Sequence, residues 1–260
     1  MVLPDTLKNS ISLPLVAASL FIISNPDLVI AQCKAGVIGS FPALNARPAA
    51  ELEKWLQRIT RELTVYNEAN PDQPAAPFAV NQIVHDSNDR LQHDLDLCVK
   101  YKVPIVITSL GAKTFVNDAI HFYGGIVLQD IINNRFAKKA VEKGADGLIA
   151  VAAGAGGHAG TTSPFALVQE IREWFDGPLL LSGSIGNGDA VLADQAMGAD
   201  LAYKQAIVDN SSEDIVYSSL FTGVHGNYLR PSIEAAWLDP DNLATGDAAD
   251  MSFGSGGSSD

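Results

Sequence analysis

Short apolar runs alternate along the chain with longer segments in which apolar residues recur every three or four positions. The short runs are typical of strands that are buried on both faces, and the longer segments are typical of amphipathic helices. Glycine, proline and small polar residues separate the two kinds of segment. The pattern therefore predicts alternating strands and helices, which is the arrangement of a parallel sheet covered by helices.

Eight runs have the length and composition of buried strands. They cover residues 15–21, 37–41, 78–84, 103–110, 125–129, 148–153, 179–182 and 200–203. Helices are predicted between them at residues 26–35, 49–70, 88–101, 113–122, 135–143, 163–175 and 189–197. Such a series in 260 residues predicts an α/β fold of the (β/α)8 TIM-barrel type. A doubly wound open sheet is the alternative.

One barrel domain is predicted over residues 1–238, followed by a Gly/Ser-rich tail at 239–260. Hydrophobic residues make up 47% of the chain and charged residues 18%, which is enough for a large buried core. The net charge of −13 argues against a nucleic-acid partner, because such proteins need basic patches that neutralise phosphates. A small molecule is the expected partner.

The apolar run at residues 11–23 is interrupted by Pro14 and lacks the basic flank of a signal peptide, so it is interpreted as a strand. No segment is expected to enter a membrane. Cys33 and Cys98 lie among apolar residues and are expected to be buried, reduced thiols. These features together predict a cytoplasmic protein.

The clearest chemical signal is the segment GLIAVAAGAGGHAG at residues 147–160. Its apolar half predicts a buried strand, after which Gly154, Gly156 and Gly157 let backbone N–H groups approach a flat or anionic ligand closely. His158 follows at the C-terminal end of that strand, where the active sites of α/β folds collect, and is a candidate for proton transfer. An ordinary glycine-rich turn with an exposed histidine is the alternative.

The sequence GSIGNG follows the predicted strand at 179–182 and precedes a predicted helix. In barrels this position commonly binds a phosphate group through backbone N–H groups, so Gly183, Ser184, Gly186 and Gly188 are candidate ligands. An ordinary turn between a strand and a helix is the alternative.

Asn81 interrupts the apolar strand predicted at 78–84. It is either a structural amide that neighbouring backbone satisfies or a hydrogen-bonding partner of a planar ligand. The chain has no cluster of His, Asp and Glu at metal-ligand spacing and no phosphate-binding GxxxxGK[ST] motif. Neither a metal nor a nucleoside triphosphate is therefore expected.

Five segments carry a resemblance to a known family. They are AVNQIVHDSNDRL, VPIVITSLGA, GADGLIAVAAGAGGHAG, SPFALVQEIREWFDGPLLLSGSI and FTGVHGNYLRPSI. Together they resemble the nitronate monooxygenase family, formerly called the 2-nitropropane dioxygenases. The resemblance begins at about Leu13, and GAGGHAG is its most specific motif. It implies a barrel enzyme that depends on FMN.

The resemblance also implies roles for the candidate residues. His158 would be the catalytic base or the group that orients the substrate. Asn81 and the amides of Gly156 and Gly157 would contact the flavin ring. The loop at residues 183–188 would bind the phosphate of FMN.

The reaction that the resemblance implies is the oxidation of nitronates and nitroalkanes by O2 to a carbonyl compound and nitrite. A neutral nitroalkane must first lose its α-proton, and a histidine that titrates near neutrality suits this step. A flavin-dependent oxidoreductase that resembles the enoyl reductases is the alternative enzyme class. A barrel with impaired catalysis is a third interpretation.

The chain departs from the family pattern in three places. Ala18 and Ser19 stand where family members usually have a proline and a methionine. After Tyr203 the chain lacks a loop and helix that family members have, and it ends where they continue with further helices. The resemblance thus predicts a barrel that is incomplete around its eighth strand and at its C-terminus.

Overall fold

A six-stranded parallel sheet forms the centre of the computed structural model, which describes residues 7, 10–158, 160–182 and 209–246. Its strands are β1 (Gly39–Pro42), β2 (Phe78–Ile83), β3 (Ile105–Ser109), β4 (Ile126–Ile131), β5 (Gly147–Val151) and β7 (Leu179–Ser182). They lie across the sheet in this order, and each neighbouring pair is parallel. A barrel wall has this order, whereas the order of a doubly wound sheet reverses at a switch point.

Six helices lie before and between these strands. They are α1 (Pro26–Lys34), α2 (Glu51–Ala69), α3 (Leu91–Lys100), α4 (Thr114–His121), α5 (Asn134–Glu142) and α6 (Pro164–Arg172). The six helices predicted before residue 182 are confirmed. The apolar stripe of α2 is buried, as its periodicity predicted. The buried residues are Leu52, Leu56, Ile59 and Leu63.

The side chains of the sheet alternate between two apolar layers. The outer layer packs with the helices and includes Phe41, Val80, Val106 and Val127. The inner layer, on the opposite face, includes Ile38, Ala79, Ile105, Ile107, Ile126 and Leu128. Because both faces of β1 to β5 are largely buried, these strands are rich in apolar residues, as parallel strands under helices usually are.

The strand predicted at residues 15–21 forms only one bridge, a parallel one between Val16 and Ile38. The Asn45 side chain donates to two carbonyl groups within residues 20–24, at 2.9 and 2.8 Å, and so holds this stretch as a turn. The prediction of a full strand here is wrong, because a distant side chain satisfies backbone groups that would otherwise pair with β1.

A small antiparallel sheet joins the glycine-rich segment to the C-terminal part of the described chain. Its strands, in spatial order, are β6 (Gly157–His158), β9 (Gly226–Leu229) and β8 (Ile215–Ser218). Helix α7 (Arg230–Ala235) follows β9. The sequence pattern predicts none of these strands, since β6 has only two residues and its partner is distant along the chain.

Cys33 and Cys98 are free and buried, as predicted. Burial raises the pKa of each thiol to about 12, so neither is a thiolate near neutral pH. In the part of the chain that the structure describes, no helix is long and apolar enough to cross a lipid bilayer. The helix predicted at 189–197 and the strand predicted at 200–203 lie outside the described residues.

Candidate active site

A chain of polar side chains crosses the sheet near the C-terminal ends of β2, β3 and β4. Asn81 Nδ2 donates to Ser109 Oγ at 2.6 Å, and Ser109 Oγ donates to Asp130 Oδ2 at 2.5 Å. Asp130 lies two residues after Leu128, which belongs to the inner layer, so it faces the same side of the sheet. Three neighbouring strands therefore place polar groups on the inner face at the edge where α/β enzymes bind their ligands.

Asn81 combines the two roles that the sequence left open. Its Nδ2 is held by Ser109 and by the carbonyl oxygen of Ile107, at 3.3 Å, as a structural amide would be. Its Oδ1 accepts no hydrogen bond from any residue that the structure describes, although the side chain is only 7% exposed. An amide oxygen accepts hydrogen bonds, so this atom is suited to accept one from a ligand.

Asp130 has an unusual protonation equilibrium. Burial raises the pKa of its carboxyl group to about 6, and the hydrogen bond from Ser109 opposes this rise only in part. A carboxyl group that titrates near neutrality at a strand end is typical of functional sites. The sequence interpretation missed Asp130 and Ser109, although an acidic residue within the apolar run IVLQDI is the same kind of signal that drew attention to Asn81.

The glycine-rich loop after β5 exposes its backbone at Gly156 and Gly157. A Cβ atom added at either position would have no other atom within 4 Å, so open space lies beside both. Gly157 also has a φ of +65°, which other residues rarely adopt. The loop thus presents exposed backbone to open space.

Gly160 fixes the point at which this loop returns to the sheet. Its amide donates to Val151 O at 3.1 Å, at the end of β5. An added Cβ would overlap with that same oxygen and lie 3.3 Å from Ile132, just past the end of β4. The glycine-rich loop is therefore packed against the same edge of the sheet as the Asn81, Ser109 and Asp130 chain.

His158 ends the loop and is half-buried in the short strand β6. Its Nε2 lies 3.0 Å from Thr222 Oγ1, and Asn227 of β9 donates to Ala155 O at 2.6 Å within the same loop. Burial lowers the pKa of the His158 imidazole below its ordinary value, so the ring is neutral near pH 7. An imidazole held in this state can accept a proton, as the prediction of a catalytic base requires.

The candidate phosphate ligands Gly183, Ser184, Gly186 and Gly188 lie outside the described residues, which stop at Ser182 before this loop. Their role stays a prediction. Within the described chain, no group of three or more His, Cys, Asp and Glu side chains is placed to hold a metal ion.

Comparison with known proteins identifies the class of this barrel. Residues 5–211 match the model of the nitronate monooxygenase family. The chain therefore belongs to the nitronate monooxygenase family, which the sequence resemblance predicted. This family and its structural relatives are flavin-dependent oxidoreductases.

A curated relative has a different printed activity. The (3aS,4S,5R,7aS)-5-hydroxy-7a-methyl-1-oxo-octahydro-1H-indene-4-carboxyl-CoA dehydrogenase of Rhodococcus jostii (strain RHA1) is 27% identical over 186 residues. The match covers 72% of this chain and 49% of the relative, so the chain spans about half the length of the protein it matches.

Two solved structures share the architecture. FabK from Thermotoga maritima has a TM-score of 0.72 at 22% identity, over 87% of this chain and 73% of that chain. Nitroalkane oxidase from Streptomyces ansochromogenes has a TM-score of 0.72 at 20% identity, over 86% of this chain and 79% of that chain. The likeness confirms the barrel fold, of which β1 to β5 and β7 form the described wall.

The described residues fit a flavin ring at this edge. The space beside Gly156 and Gly157 would accept a flat group, and the backbone there is exposed to it. Asn81 Oδ1 would accept a hydrogen bond from the polar rim of such a ring. The three residues that the sequence singled out for ring contact are thus compatible with that role.

Proposed function

We propose that this protein is an FMN-dependent enzyme that oxidises nitronates and nitroalkanes with O2 to a carbonyl compound and nitrite. The observation that carries the proposal is the neutral, half-buried His158 at the end of an exposed glycine loop, in a chain that belongs to the nitronate monooxygenase family. The small-molecule nitro compound and O2 are the proposed partners. The flavin, when bound, accepts electrons from the substrate and passes them to O2.

His158 takes the α-proton of a neutral nitroalkane in this proposal. Burial disfavours the charged imidazolium, so the ring is ready to accept a proton at neutral pH. A nitroalkane is uncharged and enters a partly buried site without a large desolvation penalty. A preformed nitronate has already lost this proton and needs His158 only for orientation.

The cofactor contacts belong to the same proposal. The amides of Gly156 and Gly157 and the Asn81 side chain contact the flavin ring. The loop with Gly183 and Ser184 holds the phosphate, since backbone amides before a helix N-terminus attract anions. FMN is proposed over FAD because a single phosphate loop after the seventh strand suits a mononucleotide.

An oxidoreductase that acts on an acyl thioester is the second candidate. The curated relative from Rhodococcus jostii, whose printed name is that of a carboxyl-CoA dehydrogenase, is the observation that favours it. Removal of a proton next to a thioester carbonyl would make the same demand on His158 as removal from a nitroalkane. The geometry of the described residues serves both reactions.

The deciding experiment begins with the purified chain. Its absorbance spectrum and the nucleotide released on denaturation identify the flavin. Oxygen uptake and nitrite release are then measured with 2-nitropropane and with its preformed nitronate. Nitrite production that His158→Asn suppresses for the nitroalkane supports the proposal. Fast anaerobic reduction of the flavin by NAD(P)H or by a hydroxyacyl-CoA, without nitrite production in air, would favour the second candidate instead.

The remaining sequence predictions form part of this proposal. We infer a single domain over residues 1–238 and a cytoplasmic location, in which the free, buried thiols of Cys33 and Cys98 remain reduced.

A further inference from the structure

We propose that Thr222 is a positioning residue that holds His158 in one tautomer, with its proton on Nε2 and with Nδ1 as the basic nitrogen. The inference deepens the proposed function, because it assigns the atom that would take the proton. It rests on two hydrogen bonds that share the Thr222 hydroxyl group.

The hydroxyl group of Thr222 has a single proton to donate. Thr222 Oγ1 lies 3.0 Å from Val224 O, and a carbonyl oxygen can only accept. The hydroxyl proton is therefore directed to Val224. Thr222 Oγ1 also lies 3.0 Å from His158 Nε2, so in this contact the oxygen accepts and the Nε2–H group of the imidazole donates.

A neutral imidazole carries only one proton on its two nitrogens. With that proton on Nε2, Nδ1 has the free lone pair. No residue that the structure describes donates to His158 Nδ1. His85 makes a contrast, since its Nδ1 accepts from the backbone amide of Ser87 at 3.2 Å. The basic nitrogen of His158 thus remains available to a substrate.

This arrangement tolerates both protonation states of the ring. When Nδ1 gains a proton, Nε2–H still donates to Thr222, so the imidazole need not rotate during the transfer. The group that orients a general base is best placed on the nitrogen that keeps its proton, as the catalytic triads illustrate. Thr222 meets this condition without adding a charge to the site.

The backbone fixes the two partners relative to each other. His158 pairs with Gly226 across β6 and β9, and the chain reaches β9 through the turn that contains Thr222. In that turn Gly223 donates to Ser219 O at 2.9 Å and has a φ of +73°. The position of Thr222 therefore depends on the main chain and not on a flexible side chain.

The direct test is the tautomer of His158 in the flavin-loaded protein, read by long-range ¹H–¹⁵N NMR at a pH above its titration. His158→Asn identifies the signals by their loss. We expect the shift of a protonated nitrogen for Nε2 and that of an unprotonated nitrogen for Nδ1. In Thr222→Val the two nitrogen shifts should move towards each other, whereas Thr222→Ser should keep them apart. A protonated Nδ1 in the wild type, or unchanged shifts in Thr222→Val, would overturn the inference.

Turnover provides a second readout. Thr222→Val should lower kcat/KM for a neutral nitroalkane about tenfold, as expected for the loss of one orienting hydrogen bond. Thr222→Ser should restore most of it, and the preformed nitronate should be affected less. A loss with serine but none with valine would show that the methyl group matters and the hydroxyl does not, which contradicts the inference.

The two proposals can fail separately. If the wild type turns over no nitro compound, the proposed function fails while the NMR shifts still decide the tautomer. If nitrite is produced but Nδ1 carries the proton, the proposed function stands and the role of Thr222 does not. The wild-type spectrum suffices for this decision even if Thr222→Val does not fold.

Discussion

Ser109 Oγ lies 2.5 Å from Asp130 Oδ2, across the ends of two neighbouring strands, and it is the one donor that the described residues provide to this carboxylate. A single hydrogen bond does not offset the loss of water around a charge in a partly buried position. The pKa of Asp130 therefore stands at about 6, well above the ordinary value of 3.8. Ionisation of this carboxyl group lowers the free energy of unfolding of the protein. Residues that lower stability in this way are typical of functional positions.

Asp130→Asn should stabilise the protein at pH 7.5 by up to about 3 kcal/mol, the free energy that corresponds to the rise in pKa from 3.8 to about 6. The native pKa is raised, so the wild type is most stable below pH 3.8 with respect to this group and loses stability as pH rises through 6. In Asp130→Asn this contribution to the pH dependence of stability is absent. Urea unfolding at pH 4 and pH 7.5 measures the difference, which should nearly vanish at pH 4.

Asp118→Asn is the matched control, because Asp118 is exposed on α4. It should change the stability little at either pH. An Asp130→Asn effect that is equal at both pH values would contradict the prediction, since it would mean that Asp130 has an ordinary pKa.

The wall of the barrel could be predicted from sequence because β1 to β5 are largely buried on both faces. Val80 and Val106 pack with the helices, and Ala79 and Ile107 pack in the inner layer, so most positions of these strands are apolar. Helix α2 shows the corresponding helical periodicity. These signals are local, because they depend on the apolar residues within one segment. The sequence alone is therefore enough to detect them.

The parts that could not be predicted depend on contacts between distant segments. The turn at residues 20–24 exists because Asn45 binds it, and the strand β6 exists because β9 lies beside it. The partnership of His158 with Thr222 has the same origin, since the two residues are 64 positions apart. A sequence pattern contains no trace of such pairs, whereas the histidine itself could be chosen from its place after the glycines.

Cys33 and Cys98 should not react with thiol reagents in the native protein. Burial raises the pKa of both to about 12, so the reactive thiolate is scarce at pH 8 and the sulfur is also inaccessible. Labelling with an aromatic disulfide should be slow in buffer and reach both thiols on addition of denaturant. Rapid labelling of either thiol in buffer would show that its surroundings open frequently.

His158→Asn should lower the turnover of neutral nitroalkanes by roughly 10²- to 10⁴-fold, the range for loss of a general base. Turnover of the preformed nitronate should fall much less, and the flavin spectrum should remain. In the wild type, the acidic limb of the nitroalkane pH profile should lie below pH 6.5, because burial lowers the pKa of His158 from 6.5 and only the neutral ring accepts a proton.

Steady-state oxygen uptake with both substrates measures these effects. Asp130 also titrates near this range, so the profile of Asp130→Asn is the control that assigns the limb to His158. Equal losses on the nitroalkane and the nitronate in His158→Asn would show that the histidine orients the substrate and does not remove its proton.

A methyl group added at two glycines of the same loop should affect the stability of the protein to different extents. In Gly156→Ala the added methyl meets no atom of the protein, so stability should stay within about 0.5 kcal/mol of the wild type. In Gly160→Ala the methyl overlaps with Val151 O, a backbone atom, and the loop must shift at a cost of about 1 to 3 kcal/mol.

If the flavin ring lies over the exposed backbone, Gly156→Ala should still weaken FMN binding by roughly tenfold, because its methyl would occupy the space of the ring. Urea unfolding of the flavin-free protein and fluorescence titration with FMN separate the two effects. Undiminished FMN affinity in Gly156→Ala would mean that the ring does not approach this loop, and the flavin would then have to bind elsewhere on the barrel.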